Sequence, residues 1–173
     1  MSTGFWSDPI LEPKRAFRWI VLIGNIPFFI AKKVTKPEFK VTEAKHNFIN
    51  HTFYFPGRVE WQPVSLTLVD PVSPDSSRTL QNILRNSGYN LPLDPNVALT
   101  SISKARAVAA LGRFSIEQLG PEGGEPVESW ELVNAWIQSV KYGELDYEKD
   151  DLINLEMTIR YDFPIQTKSG VPA

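Results

Sequence analysis

The clearest hydrophobic pattern lies near the C-terminus, in "DDLINLEMTIRYDF". Ile153, Leu155, Met157, Ile159 and Tyr161 alternate with Asn154, Glu156, Thr158, Arg160 and Asp162. A period of two predicts a strand over 152–162 with one face in a core and the other in solvent or a lumen. "RVEWQPVSLTLVD" also alternates, but its parity reverses after Pro63, so Val64, Leu66 and Leu68 become the apolar series. Proline cannot donate to a ladder, which places a bulge or break there. "RAFRWIVLIGNIPFFIAKKV" gives apolar runs on either side of Gly24-Asn25, a dipeptide suited to a two-residue turn, and predicts a hairpin with strands at 15–23 and 26–31. "EFKVTEAKHNF" and "HTFYFPG" predict a second hairpin turning within 47–50 and closed by Pro56-Gly57.

The period then lengthens. In "DSSRTLQNILRNSG", Leu80, Ile83 and Leu84 share a helical face, with Asp75 to cap the start and Gly88 to end it. A second helix is predicted within Pro95 to Leu111, with Ile102, Ala105 and Val108 on one side, Asp94 or Thr100 as cap and Gly112 as stop. "RFSIEQLG" and "VESWELVNAWIQSVKYG" return to β-structure around the loop "GPEGGEP". These elements describe one domain over 15–163. Residues 1–14 read as an extended arm whose apolar Phe5, Trp6, Ile10 and Leu11 require a groove, and 164–173 as a flexible tail. The expected fold is mainly β with flanking α, built from two packed antiparallel sheets.

Composition narrows the functional classes. A chain of 173 residues suits one domain, and its 14 Pro and 10 Gly favour short strands over a helical bundle. There is no cysteine, hence no disulfide, thiol nucleophile or sulfur-ligated metal, and a reducing compartment such as the cytoplasm is expected for its synthesis. The run Trp19 to Ala31 is too short and too interrupted to span a membrane, which takes about 18 or more apolar residues, and no signal peptide is legible at the start. A net charge of −2 offers no broad basic field for nucleic acid. Nucleophile-elbow, P-loop and dinucleotide fingerprints are absent, so neither enzymatic activity nor a cofactor is expected.

Two clusters invite a metal. With a turn at 47–50, His46 and His51 would face each other across the hairpin, yet two imidazoles need further ligands, and Glu43 and Glu60 lie at no spacing that supplies them. In "ELDYEKDD", Asp146, Glu148 and Asp150 imitate positions one, three and five of a calcium loop, but Asp151 replaces the required glycine and Met157 the closing glutamate. No metal is assigned. A monomeric β-sandwich that takes calcium through the acidic loop Glu144–Asp151, or a small ligand in a groove, is the alternative reading.

The order of "PKRAFRWIVLIG", "FPGRVEWQPVSLTLVD" and "YGELDY", followed by the alternating strand that ends in "RYDF", resembles the tail tube proteins of contractile-tailed bacteriophages, kin to the tube of type VI secretion. The resemblance implies two packed sheets that close into a ring barrel on hexamerisation, with rings stacked into a hollow conduit for DNA ejection. The implied partners are further copies of the chain, tail sheath and baseplate proteins, and DNA passing without sequence-specific binding; the implied location is the virion tail. A baseplate-end or terminator protein shares the same core and is a further alternative. Within this frame Phe39, Val41, Phe48, Ile49, Phe53, Tyr54 and Phe55 of the aromatic hairpin, with Phe5 and Trp6 of the arm, are the expected contacts between subunits or rings. Asn154, Glu156, Thr158 and Arg160 are the expected lumen face, with a mixed and not strongly basic lining.

Overall fold

The computed structural model describes residues 13–168 apart from 25, 94 and 96–99. The strands are β1 (Trp19–Ile23), β2 (Ala31–Val34), β3 (Phe39–Phe48), β4 (His51–Trp61), β5 (Val64–Val69), β6 (Phe114–Leu119), β7 (Pro126–Val133), β8 (Trp136–Lys141), β9 (Asn154–Arg160) and β10 (Phe163–Lys168). Two helices, α1 (Ser76–Asn86) and α2 (Lys104–Leu111), lie between β5 and β6. One antiparallel sheet has the order β1-β6-β7-β10, a second β2-β5-β9-β8, and β3 and β4 form a separate two-stranded ribbon. Residues of both four-stranded sheets form one core, including Val21, Phe114, Leu132, Leu66, Leu155 and Ile159, and Leu80 and Leu111 of the helices join it. The mainly β, flanked-α reading of the sequence holds.

Alternation sets the placement of the second sheet. In β9, Leu155, Met157 and Ile159 are buried while Glu156 is exposed, and β5 repeats the pattern with Val64, Leu66 and Leu68 inward. The chain breaks at Gln62-Pro63, so the parity reversal at Pro63 marks the change from ribbon to sheet. Tyr161, buried just past β9, donates its hydroxyl to the Gln62 carbonyl at 2.8 Å and pins this corner.

Asp75 caps α1 by accepting from the Arg78 amide at 2.9 Å, and Gly88 follows with a φ of 113°. The second helix differs from expectation. It begins at Lys104, capped by Ser103, and buries Ala107 and Leu111, while Ile102 lies ahead of it and Ala105 is exposed. Thr100 instead bonds the Gly88 carbonyl, and Asp94 lies outside the described residues.

Two more expectations are corrected, and one apolar run is resolved into its strands. The first hairpin does not exist, because β1 pairs with β6 and β2 with β5, in different sheets. After the turn at Gly24, the Phe28–Ile30 segment forms one 3₁₀ turn that carries the chain from one layer to the other. The long run after "GPEGGEP" is likewise two strands, since Asn134, with a φ of 54°, bends the chain between β7 and β8. Residues 164–168, expected as tail, belong to β10, which pairs with β7 as the sheet's edge. Pro164 is tolerated there because edge strands leave one side of their ladder unused.

Candidate assembly surfaces

The ribbon is the most conspicuous surface. All ten residues of β3 are exposed, as are most of β4, and the ribbon's extensive contacts are between its own strands. The strands meet at a two-residue turn, Ile49-Asn50, tighter than the 47–50 tip expected. Ile49 holds a φ of 53° and is 88% exposed. A β-branched residue in the left-handed region is strained, and such strain persists where something outside the local chain calls for it.

Register assigns the two faces, because residues opposed in an antiparallel ladder point the same way. Towards the tip, Ala44, His46, Phe48, His51, Phe53 and Phe55 share one face. Towards the base, the apolar residues Phe39, Val41, Val59 and Trp61 lie on the other, where Phe39 meets Trp61 edge-on at 5.4 Å. The change of side coincides with a bulge at Pro56-Gly57 opposite Val41–Glu43. Thr42 Oγ1 accepts from the Arg58 amide at 2.8 Å, and a Cβ on Gly57 would stand 2.4 Å from that oxygen, so only glycine fits. Pro56-Gly57 therefore twists the ribbon and does not end it.

Of the expected contact residues, Phe39, Val41, Phe48, Ile49, Phe53, Tyr54 and Phe55 are all exposed on this ribbon, and Phe5 and Trp6 lie outside the described residues. The two histidines are not opposed. His46 pairs with Phe53 and His51 with Phe48, and the His51 ring sits edge-on against Phe53 at 4.7 Å. Glu43 faces the other way and bonds Lys45 at 3.1 Å. In the acidic loop, Asp146 accepts from the Glu148 amide and neighbours Lys149, closing a turn. Among the described residues no three His, Asp or Glu side chains are placed to hold an ion.

The second surface is the solvent face of the sheet β2-β5-β9-β8. Asn154, Glu156, Thr158 and Arg160 lie on it, flanked by Ser65 and Thr67 of β5 and Ser139 and Lys141 of β8. Lys32 reaches Asn154 Oδ1 at 3.3 Å, and Lys33, opposite Thr67, faces the same side. Lys141 lies 3.7 Å from Glu156. The face is thus more cationic than β9 alone indicated, because the neighbouring strands add lysines that a single-strand pattern does not reveal.

The third feature anchors the first. Glu128 of β7 is buried and receives Lys14, Lys36 (2.9 Å) and the Trp130 indole N–H. Burial on its own would raise this carboxyl, but the hydrogen bonds from Lys14, Lys36 and Trp130 outweigh it and bring the pKa down to about 2. One carboxylate thereby ties the end of the N-terminal arm and the link between β2 and β3 to the same sheet. These residues are 92 and 114 positions apart from Glu128, so no sequence pattern announces the cluster.

This architecture is shared with components of contractile injection machines. A chain of the anti-feeding prophage baseplate, in a sixfold symmetrised structure, is 17% identical and superposes with a TM-score of 0.64 over 92% of this chain and 99% of that one. A chain of the sheath-tube complex of an extracellular contractile injection system in its extended state is 18% identical, with a TM-score of 0.63 over 96% and 99%. A type six secretion system protein is 6% identical, with a TM-score of 0.51 over 87% and 83%. At these identities the likeness is one of fold. No family model matches the chain, and no curated protein sequence matches it significantly. No helix among the described residues is long and apolar enough to cross a membrane.

Proposed function

We propose that this chain is a structural protomer of the tube of a contractile phage tail, closing into rings of six that stack into a hollow conduit for DNA. The observation that carries the proposal is the ribbon β3-β4: a projecting, aromatic, two-stranded element whose extensive contacts are between its own strands, with Trp61 at its base packed against the core. An isolated two-stranded ribbon is marginal in water, and its apolar area stabilises only when covered. At about 3.3 Å per residue, the ten residues of β3 extend roughly 33 Å, enough to reach a neighbouring ring.

Ring closure has its own support in the sheet β2-β5-β9-β8. Every pairing within it is antiparallel, so β8 and β2, its two edges, run in opposite directions. Joining β8 of one copy to β2 of the next continues the antiparallel order, and four strands from each copy close into a barrel without free edges. The core-facing side of β9 is taken up by Leu155, Met157 and Ile159, which leaves Asn154, Glu156, Thr158 and Arg160 to line the channel. Such a lining offers mixed charge and no base-reading geometry, so DNA passes without sequence readout. We assign the chain no catalytic chemistry and no cofactor. Its partners are its own copies, then sheath around the tube and baseplate proteins at its end, in the virion tail after synthesis in the host cytoplasm.

Negative-stain microscopy with sedimentation of the purified chain tests the proposal. Rings that stack into tubes are expected; monomers at every concentration would refute it. Rings that never stack would assign the chain to a tube end, such as a baseplate or terminator position.

A further inference from the structure

The strands β8 and β9 form one hairpin whose two ends are unlike. At one end is the β8–β9 connection, residues 142–153, where Leu145 and Leu152 are 84% and 70% exposed and Tyr147 stands entirely in solvent. At the other end, where β8 begins at Trp136 and β9 closes at Arg160, is an open hollow of about 710 Å³. Its apolar walls are Trp61 at the base of the ribbon, Ile102 just ahead of α2, Trp136 and Tyr161.

We infer that the β8–β9 loop of one ring docks into this hollow on the next ring of the stack. The inference rests on the tube reading above and names a contact between its rings that is separate from the ribbon tip. Topology places the two surfaces. Lys141 aligns with Glu156 and Trp136 with Arg160, so loop and hollow stand at opposite ends of the same two strands. Strand tilt in a barrel shifts those ends around the ring but keeps them on opposite rims. Rings that stack with one polarity therefore set the loop rim of one against the hollow rim of the next. Because the two surfaces differ, the contact is heterologous and continues as an open stack.

The hollow is also continuous with the ribbon. Val34 aligns with Leu66 and Val64 with Ile159, so β2 ends and β5 begins at the hollow's rim, and both strands of the ribbon leave from there. Trp61, the last residue of β4, belongs to both surfaces. The ring that the ribbon reaches is thus the ring that the hollow faces.

The chemistry of the two surfaces matches. Two indoles in a concave site suit apolar side chains such as Leu145 and Tyr147, which have no cover in their own chain. Of the hollow's cations, Lys104 is held by Asp162 at 2.7 Å, whereas Arg160 forms no ion pair or hydrogen bond among the described residues. Glu60, the other acid there, stands opposite Lys40 in the ribbon ladder. In the loop, Asp146 neighbours Lys149, while Glu144, Glu148, Asp150 and Asp151 form no ion pair among the described residues. With Leu145 or Tyr147 seated, one of these carboxylates meets Arg160 at the rim.

The absence of cysteine makes cross-linking clean. A chain carrying both Ile102→Cys and Glu148→Cys, two exposed positions, is assembled under tube-forming conditions and treated with a short bismaleimide. Links between rings give a ladder of covalent products that runs past six copies, whereas links within a ring stop at six. The ladder past six is expected. In parallel, Arg160→Glu should raise the concentration needed for tubes about tenfold or more at low salt, since like charges then meet between rings, and adding Glu148→Lys with Asp150→Lys to that chain should restore it. Monomer melting temperature controls for folding. Tubes without the ladder, a ladder that stops at six, or charge reversal without rescue overturns this contact and leaves the tube reading standing. A chain whose rings never stack overturns both.

Discussion

Replacing Phe53 and Phe55 with serine should abolish stacking while sparing the monomer. Both lie on the tip face of the ribbon, 46% and 56% exposed, and neither belongs to the core. Fully burying a phenylalanine contributes about 1.5–3 kcal/mol, so covering the half still exposed contributes about 1–1.5 kcal/mol for each. The pair is then worth about 2–3 kcal/mol per ribbon, roughly a 30- to 150-fold change in the dissociation constant of one contact. With six ribbons engaged between two rings, the losses multiply, and tubes should vanish at concentrations where the unmodified chain polymerises fully. The assay is pelleting and negative-stain microscopy across a concentration series, paired with thermal melting of the unassembled chain. A melting temperature near that of the parent with no tubes is the expected result. An unchanged critical concentration would show that this face is not covered on stacking, whereas a collapse of monomer stability would show that the two rings support their own subunit.

Three further outcomes are expected. Glu128 has a folded pKa of about 2, below its ordinary 4.5, so its stabilisation is complete above about pH 4.5 and is lost as the pH falls through 2. Melting curves should show an acid-side loss of about 2–3 kcal/mol that Glu128→Gln removes by destabilising the chain at neutral pH; identical pH profiles would refute the role of the cluster. Deleting residues 2–12 should weaken assembly more than it lowers the monomer melting temperature, and the reverse order would assign the arm to its own subunit. Asn154→Lys with Glu156→Lys should permit tubes yet slow DNA ejection, most at low salt where screening is weakest; ejection rates indifferent to these charges at every salt concentration would remove β9 from the channel.

The sequence was most informative where one face is buried and the other wet. β9 and β5 announce themselves because a two-residue period has a single structural solution there, and α1 because its cap, its core contacts Leu80 and Ile83 and its terminal glycine agree, although Leu84, expected on the same face, is exposed. It was least informative where the chain changes layer. Gly24 looks like a hairpin turn, but the apolar run on either side is compatible with burial in either sheet, and the switch of β2 to the other layer depends on partners distant in sequence. Asn134 carries the second switch with no proline or glycine to mark it. β10 was hidden because Pro164 and the polar residues after it resemble a tail, although an edge strand accepts both. The aromatic ribbon was legible as an unusual surface, but its faces were not. The bulge at Gly57 moves the apolar side, and only the register shows that His46 and His51 stand beside phenylalanines and not beside each other.

The most direct measurement is a helical reconstruction of assembled tubes at side-chain resolution. Rings of six are expected, with Glu156, Thr158 and Arg160 of β9 turned to the channel and the Phe48, Phe53 and Phe55 face of each ribbon covered by the adjacent ring. Tubes in which that ribbon face remains in solvent, or in which β9 presents its polar side to the outside, would contradict the tube reading.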